Sequence, residues 1–306
     1  MILNVGSRTD IPAFFSEWFF NRMKDGYVDV KNPYSDNVYW RYQINPQVID
    51  AIGFCSKNPK PMLDKITEMK NLLQTYKTFW YMTITPYGQD IEPNVPDIST
   101  SISTFIQLSN TIGKKAVGWR YDPILFGNGW DTQWHIKAFS DIAKCLSGYT
   151  DKVVISFVNI YQKVIKNAPF AIRPDDMSQE NIVKEFVNIA RRYGMQLYVC
   201  HDKNPNFTTY GADVSGCTTI DVINAATGLN LKNKSKANAR EGCACILSAD
   251  IGQYNTCLHR CAYCYANYDH DIAVDNYKQH NVNSSCLIGH VLATDTVQQI
   301  KQASWK

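Results

Sequence analysis

Three cysteines near the carboxyl end of the chain, Cys257, Cys261 and Cys264, stand as C-x3-C-x2-C within YNTCLHRCAYCYANYD (Tyr254–Asp269). Thiolates are the ligands of iron–sulfur clusters, and three of them within eight residues wrap one [4Fe–4S] cluster and leave one iron open. An open iron can chelate the amino and carboxylate groups of S-adenosylmethionine. The chemistry then belongs to the cofactor, while the protein supplies placement and exclusion of water. Zinc competes for the same residues, because structural zinc sites also use closely spaced cysteines, and His259 lies inside the loop.

A second set of thiols precedes the first. Cys243 and Cys245 form C-x-C, Cys217 stands before an expected helix, and Cys200 ends an expected strand. These four can complete an all-cysteine ligand set for a second [4Fe–4S] cluster or for a zinc ion. Eight of the ten cysteines fall from Cys200 onward, so the metal chemistry is expected in the carboxyl-terminal third. Cys286 has no close neighbour in sequence, and Cys55 and Cys145 read as small buried hydrophobes.

The rest of the composition narrows the class. At 306 residues with 45% hydrophobic side chains, a globular fold with a sizeable core is expected. A net charge of +3 is too small to imply nucleic-acid binding by itself. No run of about 18 apolar residues is present, so no membrane-spanning helix is expected. The segment MILNVGSRTD lacks a basic stretch followed by an apolar one, so no signal peptide and a cytoplasmic location are expected. In a reducing compartment, clustered cysteines bind metal or do redox chemistry more often than they form disulfides.

The elements that must position these residues read as alternating strands and helices. Strands are expected at Ile2–Ser7, Ala51–Cys55, Thr78–Thr85, Ala116–Asp122, Val153–Asn159 and Met195–Cys200, as continuous apolar runs suited to burial on both faces. Helices are expected at Phe14–Gly26, Pro61–Tyr76, Asp97–Ile112 (capped by Asp97), Asp131–Leu146 and Ser178–Tyr193. Tyr27–Ile44 alternates around a turn and reads as a hairpin. About six strand–helix units predict an α/β fold, a (β/α) barrel or partial barrel of TIM type. The expected division is a barrel core over 1–200 and a cysteine-rich metal-binding segment over 201–306 packed on the barrel mouth. In that tail Thr218–Gly228 reads as a helix, and Asp250–Asn255 as a strand, or the approach to one, that abuts strand one.

Chemistry in such folds sits at the carboxyl ends of the strands. Arg8 and Asp10 follow strand one, Lys57 and Asn58 follow strand two, and Arg120 and Asp122 end strand four. Residues two apart share one face of a strand, so each Arg–Asp pair either binds a carboxylate or phosphate or forms an internal ion pair. Arg8, Asp10, Arg120 and Asp122 are the catalytic candidates. A metal-independent hydrolase built on Asp10, Asp122 and His201 is a rival. The basic run LKNKSKANAR (Leu231–Arg240) is either a solvated loop or a phosphate contact.

The stretches SRTDIPAF (Ser7–Phe14), KNP (Lys57–Pro59), TPYGQDIEPNVP (Thr85–Pro96), WRYDPIL (Trp119–Leu125), VISF (Val154–Phe157) and REGCACILSADIGQYNTCLHRCAYCYAN (Arg240–Asn267) resemble an uncharacterised bacterial group, domain-of-unknown-function family 1848, over nearly the whole chain. The family's usual Ser-Arg-Arg-Thr-Asp opening is Gly6-Ser7-Arg8-Thr9-Asp10 here, and its Trp-Thr-Lys-Asn-Pro is Cys55-Ser56-Lys57-Asn58-Pro59. CLHRCAYCYAN is also similar to the cluster loop of spore photoproduct lyase-like radical SAM proteins. That resemblance implies a [4Fe–4S] cluster, S-adenosylmethionine, and an aromatic (Tyr263) against the adenine; Lys57 and Asn58, after strand two, are the further cofactor-binding candidates. It implies an electron donor such as a flavodoxin or ferredoxin, and a small-molecule or nucleic-acid substrate. The alternative is a non-catalytic barrel, stabilised by zinc or iron–sulfur, that binds a small ligand or nucleic acid.

Overall fold

The computed structural model describes residues 1–35, 37–200, 202, 204–232, 245–246 and 249–306. The chain runs β1 (Ile2–Val5), α1 (Ile11–Phe14), α2 (Ser16–Asp25), β2 (Tyr27–Lys31), β3 (Val38–Gln43), β4 (Ala51–Ser56), α3 (Lys60–Leu63), α4 (Ile66–Thr75) and β5 (Lys77–Thr83). There follow α5 (Ile98–Ile112), β6 (Val117–Ile124), α6 (Thr132–Leu146), β7 (Lys152–Phe157), α7 (Gln162–Asn167), α8 (Asp176–Arg192) and β8 (Gln196–Val199). The tail carries α9 (Asn206–Tyr210), α10 (Ile220–Thr227), β9 (Ala249–Asp250), α11 (His270–Lys278) and β10 (Thr296–Gln299).

Seven strands fall in the order β8-β7-β6-β5-β4-β1-β9, and every register resolved between them is parallel. Six of the seven are the expected apolar runs. The expectation of an α/β fold is met, while a closed barrel is not shown: no pairing among the described residues joins the terminal strands β8 and β9. By contacts the chain divides into two compact units.

The first unit comprises Met1–Phe79, Ser248–Arg260 and Ala266–Lys306. Its parallel core is β4-β1-β9, with Ile2 opposite Ala51 and Asn4 opposite Asp250. Helix α2 ends at Gly26, which adopts φ 77°, a left-handed cap that glycine takes without steric cost. The expected helix Pro61–Tyr76 is broken, because the backbone leaves helical geometry at Lys65 (ψ 69°) and divides it into α3 and α4. The hairpin β2–β3 forms as expected, and β10 adds to it in parallel, with Val297 opposite Tyr39. Strand β10 is exposed at all four residues, so no apolar pattern announces it.

The second unit comprises Trp80–Leu247 and Cys261–Tyr265. Asp97, Asp131 and Asp175 each cap a helix by accepting a backbone N–H three residues on, which satisfies one of the donors a helix start leaves open. The Asp175 cap starts α8 at Asp176, two residues before the expected Ser178. Phe139 of α6 stacks on Phe186 of α8 at 3.8 Å between ring centres and on Trp119 of β6 at 4.8 Å. Each such side chain, fully buried, contributes roughly 1.5–3 kcal/mol of transfer free energy.

Candidate metal centres and their surroundings

In the second unit three thiols from distant parts of the chain converge. Cys200 follows β8, Cys217 precedes α10, and Cys245 lies beyond it. The Cys217 sulfur is 3.6 Å from that of Cys200 and 3.5 Å from that of Cys245. All three sulfurs lie within 4.8 Å of one another, and all three residues are buried, an arrangement that can hold a metal ion. Cys243, the fourth member of the expected set, lies outside the described residues.

Two N–H groups point at these sulfurs. Arg120 Nη1 donates to Cys217 Sγ at 3.5 Å, and the Thr218 backbone N–H donates to Cys245 Sγ at 3.3 Å. Arg120 also holds Asp122 at 2.6 Å through Nη2, so the pair expected on one strand face is an ion pair. Asp122 in turn accepts the Ser156 hydroxyl. The buried Tyr81 hydroxyl donates to the Cys217 carbonyl and fixes the backbone at that cysteine. Burial, and then the nearby Cys217, push the Tyr81 phenol well above its ordinary pKa, so it stays a proton donor.

In the first unit, the amino-terminal part of the C-x3-C-x2-C loop is anchored at the carboxyl end of β1. His259 Nε2 donates to Asp10 Oδ2 at 2.8 Å, with both side chains buried, and the Phe14 ring lies edge-on to the imidazole at 4.7 Å. The same carboxylate accepts the Ala13 N–H, capping α1, and the Lys57 N–H at the end of β4. Arg8 has a different partner: its Nε donates to Asp250 of β9 at 2.9 Å, and its guanidinium lies over the Tyr254 ring. Asn58 acts locally, its carbonyl oxygen accepting the Lys60 N–H.

The loop is closed at its base by Asn255 N–H donating to the Ala266 carbonyl at 3.0 Å. Arg260 adopts φ 61°, a left-handed conformation uncommon outside glycine, which turns the backbone just before Cys261. Asn267 is buried, and its Nδ2 donates to the Cys257 carbonyl at 2.6 Å. That bond leaves Oδ1 as an acceptor with no partner among the described residues.

In the second unit, Ala262 N–H donates to the Ile91 carbonyl at 2.9 Å. The Tyr263 hydroxyl donates to the buried carboxylate of Glu92, which also accepts the Thr85 hydroxyl at 2.6 Å. The Tyr263 ring packs edge-on to Tyr87 at 5.9 Å, beside Trp130, Trp134 and Phe170. Burial, and then Glu92, raise the Tyr263 pKa well above the usual phenol value.

Of the singled-out cysteines, Cys261 is buried, while Cys257 and Cys264 are half-buried. Cys145 is exposed and Cys55 half-buried, so neither is the fully buried small residue expected; Cys286 is buried. His201 and most of the basic run, residues 233–240, lie outside the described residues. Sequence reading missed three partners, namely His259 on Asp10, Asp250 on Arg8, and Glu92 on Tyr263. Glu92 stands in TPYGQDIEPNVP, where an acid in a proline-rich turn was the available signal. No helix among the described residues is long and apolar enough to cross a membrane.

No curated protein matches the chain. Among solved structures, a 1.8 Å crystal structure described as IolI protein with a binding zinc atom is similar at 14% identity and a TM-score of 0.34. That match covers 70% of this chain and 66% of the other, so it spans just under two thirds of that protein's length. Residues 2–266 match the family described as a domain of unknown function, DUF1848, and the chain belongs to that family.

Proposed function

We propose that this protein is an iron–sulfur enzyme of the radical SAM type, with Cys257, Cys261 and Cys264 as ligands of a [4Fe–4S] cluster and S-adenosylmethionine as its co-substrate. The observation that carries the reading is the anchoring of His259, between the first two cysteines, on Asp10 at the carboxyl end of a parallel strand. In open parallel sheets that end is where ligands bind. The donor set fits the group: three cysteines at the required spacing, none in a disulfide, two of them half-buried and so accessible to cofactor. Asn267 holds the Cys257 carbonyl through Nδ2, and its buried Oδ1 is an acceptor with no partner among the described residues.

Cys257, Cys261 and Cys264 would hold the cluster, whose chemistry when bound would be one-electron reduction of the sulfonium. The chain's own residues do the rest. Asp10, itself held by the Lys57 N–H, fixes His259 and with it the start of the loop, and Asn267 holds the carbonyl of the first ligand. Glu92 and Tyr87 fix Tyr263, the aromatic next to the last ligand. A one-electron donor of flavodoxin or ferredoxin type completes the cycle, and the substrate is a small molecule or a nucleic acid.

Anaerobically reconstituted protein is expected to be brown, with broad sulfur-to-iron absorbance. On reduction with S-adenosylmethionine it is expected to release 5′-deoxyadenosine. Cys261→Ala abolishes both. A colourless protein that carries zinc alone and releases no 5′-deoxyadenosine overturns the proposal.

A further inference from the structure

We infer that Cys200, Cys217 and Cys245 form a mononuclear tetrahedral thiolate site for a zinc-class divalent ion, with Arg120 as a positioning residue that steadies Cys217 from outside the ligand shell. The spacing of the sulfurs decides the nuclearity. Tetrahedral thiolates about 2.3 Å from one zinc stand about 3.8 Å from one another. The sulfurs here are 3.6 and 3.5 Å apart along the two bonded edges. A [4Fe–4S] core places two irons and bridging sulfides between any two of its thiolates, which holds the ligand sulfurs well beyond contact. The triad is therefore too tight for a cluster and close to the size of a single ion.

The electrostatics agree. Three thiolates around a dication carry one net negative charge, and the residues are buried, so that charge requires a compensating donor set. Arg120 brings a guanidinium N–H to Cys217 Sγ, and Thr218 brings a backbone N–H to Cys245 Sγ. Second-sphere donors of this kind orient the ligand and stabilise the thiolate. Asp122 clamps the far side of the Arg120 guanidinium, so the Arg–Asp pair serves the metal ligand rather than a free anion. A fourth ligand beyond these three completes the tetrahedron. The ion fastens the end of β8, the segment before α10 and the chain around Cys245 to one point. This inference stands apart from the chemistry of the C-x3-C-x2-C loop.

The test uses the full chain with Cys257, Cys261 and Cys264 all replaced by alanine. About one zinc per chain is expected, with a metal–sulfur shell at about 2.3 Å and no metal–metal scattering in X-ray absorption. The wild-type chain measured at the zinc edge, which does not see iron, gives the same shell should the triple variant fail to fold. Arg120→Met is expected to weaken zinc affinity roughly 10–100-fold while leaving the shell distance unchanged, with partial rescue by Arg120→Lys. Metal–metal scattering together with acid-labile sulfide in the triple variant overturns the inference in favour of a cluster. A metal-free chain in which Cys217 forms a disulfide on mild oxidation overturns it in favour of a redox pair. Loss of 5′-deoxyadenosine release by wild-type protein with this zinc intact would refute the radical SAM reading alone.

Discussion

The imidazole of His259 and the carboxylate of Asp10 meet at 2.8 Å although 249 positions separate them in the chain. Asp10 is thereby shared among three donors: His259, the Lys57 N–H and the Ala13 N–H. One buried carboxylate thus joins the end of β1, the end of β4 and the loop that carries Cys257.

Asp10→Asn replaces an acceptor-only group by one that presents an NH2 to N–H donors. Whichever way the amide turns, its NH2 faces at least one of the three donors. A cost of about 1–3 kcal/mol is expected. It should appear as a lower urea midpoint with an unchanged slope. The reconstituted variant should also hold less iron. Unchanged stability and iron content would remove Asp10 as the anchor.

Glu92→Ala deprives Tyr263 and Thr85 of the carboxylate that accepts both hydroxyls. The buried Thr85 hydroxyl and the half-buried Tyr263 hydroxyl then lose this partner, at up to about 1–3 kcal/mol each when left unsatisfied. Tyr263 fluorescence should become more exposed to quenchers, and release of 5′-deoxyadenosine should fall. Glu92→Gln, which keeps an acceptor oxygen, should recover most of the stability.

His135 is fully buried between the Tyr121 hydroxyl and the Leu125 carbonyl. Burial lowers its pKa from 6.5 to about 4, against the opposing pull of the Leu125 carbonyl. The unfolded chain therefore binds a proton before the folded one does. Stability from this residue is complete above pH 6.5 and is lost as pH falls towards about 4. The full span is worth roughly 3 kcal/mol. Urea midpoints between pH 7 and 4 should fall less steeply for His135→Gln than for the parent, and parallel curves would refute this assignment.

A Cβ on Gly118 would lie 2.5 Å from the Tyr81 ring and 2.9 Å from Lys152 Cγ. Tyr81 holds the Cys217 carbonyl, so Gly118→Ala presses on Cys217 through one intermediate. Overpacking of about 1–3 kcal/mol is expected. Zinc affinity at the triad should weaken together with stability. Full affinity with reduced stability would mean that Tyr81 does not transmit the strain.

Much of the framework was legible in the residues themselves. Strands such as VVISF and TFWYMT are apolar without alternation, and a strand buried on both faces has to be so. Asp97 and Gly26 mark helix ends because their side chain, or its lack, satisfies local backbone geometry. The expectation that the segment before Tyr254 abuts strand one is met by β9, although only Ala249 and Asp250 form the strand. Strand β10 left no mark, because TVQQ is exposed and pairs by backbone alone. The break between α3 and α4 left none either.

Residue types and local spacing determined which groups can do chemistry here: a C-x3-C-x2-C loop, a second set of thiols, and acids and arginines at strand ends. Tertiary structure alone decided the partners. It turned Arg8 to Asp250 and Asp10 to His259, placed Arg120 on Cys217 while keeping Asp122, and set Cys200, Cys217 and Cys245 within 4.8 Å. The reason is one of range. A cap, a turn or an apolar run is settled by neighbours a few residues away. A buried ion pair or a ligand shell joins segments that only the packed sheet and helices bring together.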